Sequence, residues 1–182
     1  MSNLHQRRVE QERNLLQALI DANPGLLAKR ESQREPDGEV LAFTLHKTSA
    51  LIQTEEGLAQ GETHEISVYF PRFFPSVPME ASLLHPVFHP NVHPENGFVC
   101  LWGRFSPSDT VVEAVVQLQR VLTWQLVNQE ADHLMQPAAL EWYRSPSRPI
   151  TLPLLCQAVR KPEEYDWERT FVKGSPVRRR LS

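Results

Sequence analysis

The stretch FHPNVHPENGFVCLW, Phe88 to Trp102, brings His89, Asn91, His93 and Cys100 close together, side chains that bind metals or do nucleophilic chemistry. Two chemistries use such a set. Imidazoles and a thiolate can share a metal ion if they converge on it from tetrahedral directions. Alternatively, a cysteine can carry an acyl group while a neighbouring carboxamide donates to the carbonyl oxygen, because an amide steadies a developing oxyanion without itself titrating.

Prolines weigh against the metal. His85, His89 and His93 recur every four positions, the spacing of one helical face, but Pro86, Pro90 and Pro94 follow them and forbid that helix. In an extended chain, positions four apart share a face about 13 Å from each other. No CxxC pair or carboxylate cluster adds ligands at a known spacing. Neither a metal nor an organic cofactor is expected.

The same residue types suit a stiff loop around a cysteine. Pro90 holds His89 extended, Asn91 tolerates a left-handed backbone or bonds to it, and Gly97 permits a sharp return toward Cys100. An unperturbed thiol, with a pKa of ~8.5, is only a few per cent thiolate at neutral pH. That fraction suffices for thioester exchange, where the incoming acyl group is already activated. A buried structural cysteine is the alternative, and residue chemistry alone leaves both open.

The elements that must position this loop follow from periodicity. From about Asn3 to Asp21, Leu4, Val9, Leu15, Leu16, Leu19 and Ile20 alternate with polar residues as in an amphipathic helix, stopped by Asn23-Pro24-Gly25. EPDGE at Glu35 to Glu39 is a turn. Strand-like runs cover 39–46, 49–54, 64–70 and 79–85 with no helix between them, which predicts a four-stranded antiparallel meander. Ser108-Asp109 offers an N-cap to a central helix carrying Val112, Val115, Val116, Leu118, Leu122 and Leu126, and a third helix is expected from Pro137. This order gives an α+β domain over 1–145 with its helices on one side, and residues 146–182 form an extension packing on it and ending in a basic tail.

Composition restricts the setting. The chain has 182 residues, 41% hydrophobic and 23% charged, which suits one globular domain. Its net charge of −3 provides no basic field for nucleic acid or anionic lipid. Cys100 and Cys156 form no disulfide framework, and neither a signal peptide nor a membrane-spanning run is present, so a cytoplasmic location is expected.

In their order and spacing the residues resemble ubiquitin-conjugating enzymes. Phe70-Pro71, Phe74-Pro75 and Pro78 lead through a strand to His89-Pro90-Asn91, followed by Gly97 and Cys100-Leu101, as in that family's active-site region. The resemblance covers roughly residues 3 to 145. It implies that Cys100 accepts a ubiquitin-like modifier, or another protein C-terminus, as a thioester and passes it to an amine, with an activating enzyme and an acceptor protein as partners. By position, Asn91 supports the active-site loop, the oxyanion, or both, while His89, Pro90, Gly97 and Trp102 shape the loop. Asp132 falls near the acidic residue that orients or deprotonates the acceptor lysine in the family, and His133 is an unusual neighbour able to share that work. An exposed, merely solvated aspartate is the alternative there. Arg7, Arg8 and Arg13 on the first helix, with Phe74 and Pro75, are the implied partner-binding residues.

Departures from the family pattern are local. Asn91 and Cys100 are one position further apart than in the familiar eukaryotic pattern, and the return from Cys100 to Ser106-Pro107 is shorter, so whether Asn91 reaches the thioester is open. Ser76 stands where many members place an aromatic that touches RING ligases. The divergence resembles the ubiquitin-conjugating-like proteins of bacterial operons, including anti-phage ones, and implies a role in antiviral defence. Two rivals accompany the enzyme: an inactive adaptor that binds a modifier, and a cysteine hydrolase. The hydrolase requires a histidine oriented by an acid. His93 and His133 are the histidines on offer, and the sequence arranges no acid for either.

Overall fold

The structure is a computed structural model that describes residues 4–31, 33–35 and 37–162, with residues 33–35 described by their backbone. YDWERTF at 165–171 and the closing arginines of the expected basic tail lie outside the described residues.

Helix α1 (Leu4–Ala22) buries Val9, Leu15, Leu16 and Leu19. It ends where Asn23 Nδ2 caps the Leu19 carbonyl at 2.7 Å, just before Pro24 and Gly25. Eight strands follow: β1 (Leu27–Lys29), β2 (Gln33–Glu35), β3 (Gly38–Leu45), β4 (Ala50–Thr54), β5 (Gly57–Gly61), β6 (His64–Pro71), β7 (Glu80–Leu83) and β8 (Phe98–Val99). Helix α2 (Val111–Leu122), a 3₁₀ turn at Ala131–His133 and helix α3 (Pro137–Arg144) complete the order. The expected α+β class holds.

The main sheet is antiparallel, ordered β1-β3-β6-β7-β8, with β2 also on β3. β6 alternates strictly, with His64, Ile66, Val68 and Phe70 inward and Glu65, Ser67 and Tyr69 outward. Its inner face joins Leu41, Phe43 and Leu45 of β3 and the apolar sides of α1 and α2 in one core. Each large apolar side chain buried there contributes on the order of 1.5–3 kcal/mol.

Two expectations need correction. The run at 49–54 does not join a four-stranded meander: β4 pairs only with β5, in a separate hairpin. β3 already bonds β1 and β2 on one edge and β6 on the other, from Gly38↔Pro71 to Leu45↔His64, so no edge is left for β4. The central helix is also shorter than its apolar pattern. It begins after Thr110, whose side chain accepts the Val112 N–H while Glu113 returns the bond to the Thr110 N–H, and Asp109 instead accepts from Ser106 N.

At its other end α2 stops at Leu122, which leaves Leu126 outside the helix. Gln125 N donates to Arg120 O and Trp124 N to Val121 O, the double closure usually built on a left-handed glycine. Here Trp124 takes that conformation, at φ 62°. Its ring is held against Trp142, Tyr143 and His89 at centroid distances of 5.2, 5.7 and 4.6 Å, in a second apolar cluster under α3.

Beyond α3 the chain lies across the domain. Leu154 N donates to Thr123 O, Ser49 N to Leu155 O, and Gln157 N to Lys47 O. Asn23 takes both polar backbone groups of Arg160, at 2.8 Å each. Among the described residues no helix is long and apolar enough to cross a membrane.

Candidate active site

Asn91 and Cys100 face each other across a short ladder. Cys100 N donates to Asn91 O at 2.9 Å, Val92 bridges Val99, and His93 N donates to Phe98 O at 2.8 Å. The turn closes through Gly97 N and His93 O, with Gly97 at φ +69°. A Cβ on Gly97 would lie 2.0 Å from Leu83 O, so glycine is required both by conformation and by the strand beside it. The additional residue between Asn91 and Cys100 is absorbed in this turn and does not separate the pair.

The Asn91 side chain turns away from the ladder and clamps the segment after α2. Its Nδ2 donates to Asn128 O at 2.7 Å and to His133 O at 2.9 Å, and its Oδ1 accepts the Asn128 N–H at 2.8 Å. Both amide hydrogens are therefore committed, which leaves none for an oxyanion. Gln136 reinforces the clamp with Nε2 donating to Val87 O and Val92 O, and Pro90 O accepts from Met135 N and Gln136 N. His89 is fully buried, with Nδ1 accepting the Asn91 N–H at 3.1 Å. Burial pushes its imidazole down to about 3, so it serves the loop as a neutral ring.

This clamp brings His133 to the cysteine. His133 Nδ1 lies 2.8 Å from Cys100 Sγ, and its Nε2 lies 3.5 Å from Glu130 Oε2 and 3.8 Å from Asp132 Oδ2. Burial and the negative charge of Asp132 push the half-buried Cys100 thiol above its ordinary value, opposed in part by the Trp102 N–H. The sulfur opens on a groove of ≈ 340 Å³ lined by Asn91, Gly103, Leu126, Asn128 and Gln129. Glu130, Asp132 and His133 hold their ligand atoms within 4.8 Å of one another, the only such trio among the described residues. The imidazole places Nδ1 against Cys100 and Nε2 toward the two exposed carboxylates, so contacts around the histidine account for the cluster.

The other candidates divide. Trp102 is half-buried on the main core, with Nε1 toward Met79 O at 3.4 Å. Arg7 is exposed on α1, and Arg13 pairs with Glu10 and with Glu39. Arg8 does not decorate the surface: it is buried beside Glu12 and lies over the Phe74 ring, 5.6 Å from the centroid. Phe74 is likewise internal, edge-on to Phe70, and Pro75 is half-buried; the exposed aromatic of that loop is Phe73. Phe74 faces inward because the tight turn that starts at Pro71 sends one phenylalanine of the Phe73-Phe74 pair to each side, which the sequence alone does not order.

Cys156 sits half-buried in the closing segment near Gln125 Nε2, away from these contacts. Asn128, Glu130 and Gln136 also take part in the site, and the sequence does not point to them. No local signal marks them, since each acts on the loop across at least 37 positions or through His133.

Comparison with known proteins shows the family of the chain. A family model described as ubiquitin-conjugating enzyme matches residues 18–148. Among solved structures the chain is similar to a protein from Trypanosoma cruzi described as a ubiquitin conjugating enzyme, with a TM-score of 0.53 and 18% identity over 81% of this chain and 93% of that one. No curated sequence matches. With the matched region spanning most of the domain and both motif residues, the chain belongs to the ubiquitin-conjugating enzyme family.

Proposed function

We propose that this protein accepts the C-terminal acyl group of a ubiquitin-like modifier on Cys100 Sγ and passes it to an amine on an acceptor protein. One observation carries the reading: Cys100 is held in register with Asn91 and lines a groove of ≈ 340 Å³, next to two exposed carboxylates. A thiol raised above its ordinary range can still exchange with an acyl group already activated as a thioester. Glu130 and Asp132 place negative charge where an ammonium acceptor would approach. Asn91 acts by positioning, because its amide is spent on Asn128 and His133.

The test is incubation with an activating enzyme, ATP and modifier, followed by electrophoresis with and without reductant. A reductant-sensitive adduct forms with the wild type and is absent from Cys100→Ala. Cys100→Ser converts it to an ester that survives reductant and yields to alkali. An adduct that persists in Cys100→Ala overturns the proposal. Modifier binding with no adduct in the wild type favours the adaptor.

A further inference from the structure

His133 stands between a thiol and two carboxylates. Its Nδ1 contacts Cys100 Sγ at 2.8 Å, while Glu130 Oε2 and Asp132 Oδ2 lie 3.5 and 3.8 Å from Nε2. A neutral imidazole carries one N–H, and acidic oxygens on the Nε2 side favour that proton there. The Nδ1 lone pair is then left pointing at the thiol. The ring is also well placed mechanically: its side chain is 16% exposed, its backbone N–H bonds Glu130 O, and its carbonyl is held by Asn91 Nδ2. The same asparagine thus fixes both members of the pair, the cysteine through its backbone and the histidine through its amide.

From this geometry we infer that His133 is the proton acceptor of Cys100, with Glu130 and Asp132 as its positioning residues. The assignment deepens the thioester reading and rests on it for the identity of the acyl group. On loading, Sγ attacks the thioester carbonyl, the S–H proton passes to Nδ1, the new C–S bond replaces the old one, and the departing thiolate takes the proton back. On discharge, the amine attacks the Cys100 thioester and gives its proton to Nδ1, the C–N bond forms as C–S breaks, and Sγ recovers the proton. Neither step needs an oxidant or a metal. The titratable groups facing the ring are Cys100, Glu130 and Asp132, and the groove beside it offers the neutral amides of Asn91, Asn128 and Gln129.

The pair can be tested without modifier. In a Cys156→Ser background, which leaves one thiol, alkylation of the full chain by iodoacetamide is followed by intact mass from about pH 5.5 to about pH 9.5, spanning the imidazole and thiol ranges. With His133 as acceptor, the rate climbs through the imidazole range and flattens before the thiol itself ionises. His133→Gln loses that early limb, reacts about tenfold more slowly at neutral pH, and rises about tenfold per pH unit toward the thiol range. Glu130→Gln with Asp132→Asn keeps the limb but moves it to lower pH, a displacement that a purely structural role would not cause.

Superimposable curves for the parent and a folded His133→Gln overturn the inference. Should that variant fail to fold, a single inflection in the thiol range for the parent alone does the same. An early limb in a protein that forms no adduct upholds the pair and overturns only the thioester reading.

Discussion

Asn91 Oδ1 accepts the Asn128 N–H at 2.8 Å, and Glu12 Oε2 accepts the Val111 N–H at 2.7 Å, so in two regions of the molecule a buried side chain fastens a distant backbone segment. The first ties the segment after α2 to the cysteine loop, and the second ties α1 to the start of α2. Their exposures are 1% and 0%. What differs is the chemistry of the clamp. Asn91 is neutral and has both amide hydrogens taken, which costs no charge burial. Glu12 brings a carboxyl group into the core, and burial raises it to about 7 despite the Val111 N–H and the Arg8 Nε 2.9 Å away. The Asn91 amide itself does not titrate, whereas the carboxyl at the α1–α2 corner titrates near neutrality.

Converting the neutral clamp into an ionisable one gives the largest expected effect. Asn91→Asp keeps an acceptor for the Asn128 N–H but sets a buried charge against the carbonyls of Asn128 and His133. An uncompensated buried charge costs about 3–5 kcal/mol. The loss, measured by urea unfolding, is expected to be greatest at neutral pH and to shrink as pH falls through the carboxylate range, because the protonated group can donate to one of those carbonyls. Loading of Cys100 falls with it, since His133 loses its anchor. Unfolding curves that match the wild type at neutral pH would place the clamp elsewhere.

The charged corner predicts a pH profile of its own. Glu12 is raised from 4.5 to about 7, so its folded state binds the proton more tightly; the stability it contributes is complete below 4.5 and lost as pH rises to about 7. That window corresponds to on the order of 3 kcal/mol. His89 has the opposite sign. Lowered from 6.5 to about 3, it contributes stability that is complete above 6.5 and lost as pH falls toward 3. His64, also lowered by burial, adds in the same direction. Stability therefore peaks in the mildly acidic range where the two limbs overlap, and Glu12→Gln removes the decline toward neutral pH while leaving the acid limb. A Glu12→Gln profile parallel to the wild type would mean that Arg8 keeps the carboxylate charged in both states.

The same division explains what could be read from the chain. Asn91, Gly97 and Cys100 are legible because the hairpin that joins them is local, and Gly97 marks the turn where a side chain would strike Leu83 O. The helical stretches of α1 and α3 are legible from apolar period and from Pro24 and Pro137. Contacts made over long separations are not. The approach of His133 to Cys100, the inward course of Arg8 and the work of Glu12 depend on segments 33 to 101 positions apart meeting in space. The β5 strand escapes notice because Gly57 and Gly61 bracket it, and glycine is scarce in strands. The end of α2 is misjudged because tryptophan takes the place where glycine is the usual signal.

Thr110 offers the smallest and sharpest separation at the charged corner. It is 1% exposed, accepts the Val112 N–H at 3.3 Å, and receives Glu113 on its own N–H at 3.2 Å, next to the Val111 N–H that Glu12 serves. The first turn of α2 is thus capped once from within the chain and once from α1. Loss of such a cap costs about 1 kcal/mol, so Thr110→Ala is expected to lower stability by that amount equally at mildly acidic and neutral pH, because a hydroxyl does not titrate. Combined with Glu12→Ala it leaves two adjacent amides, those of Val111 and Val112, without side-chain acceptors, and the double variant should depart from additivity by about 0.5 kcal/mol or more. Strict additivity would mean that the two caps act on α2 independently. A pH-dependent loss in Thr110→Ala alone would show that the titrating carboxyl works through Thr110 and Glu113, and that α1 only covers them.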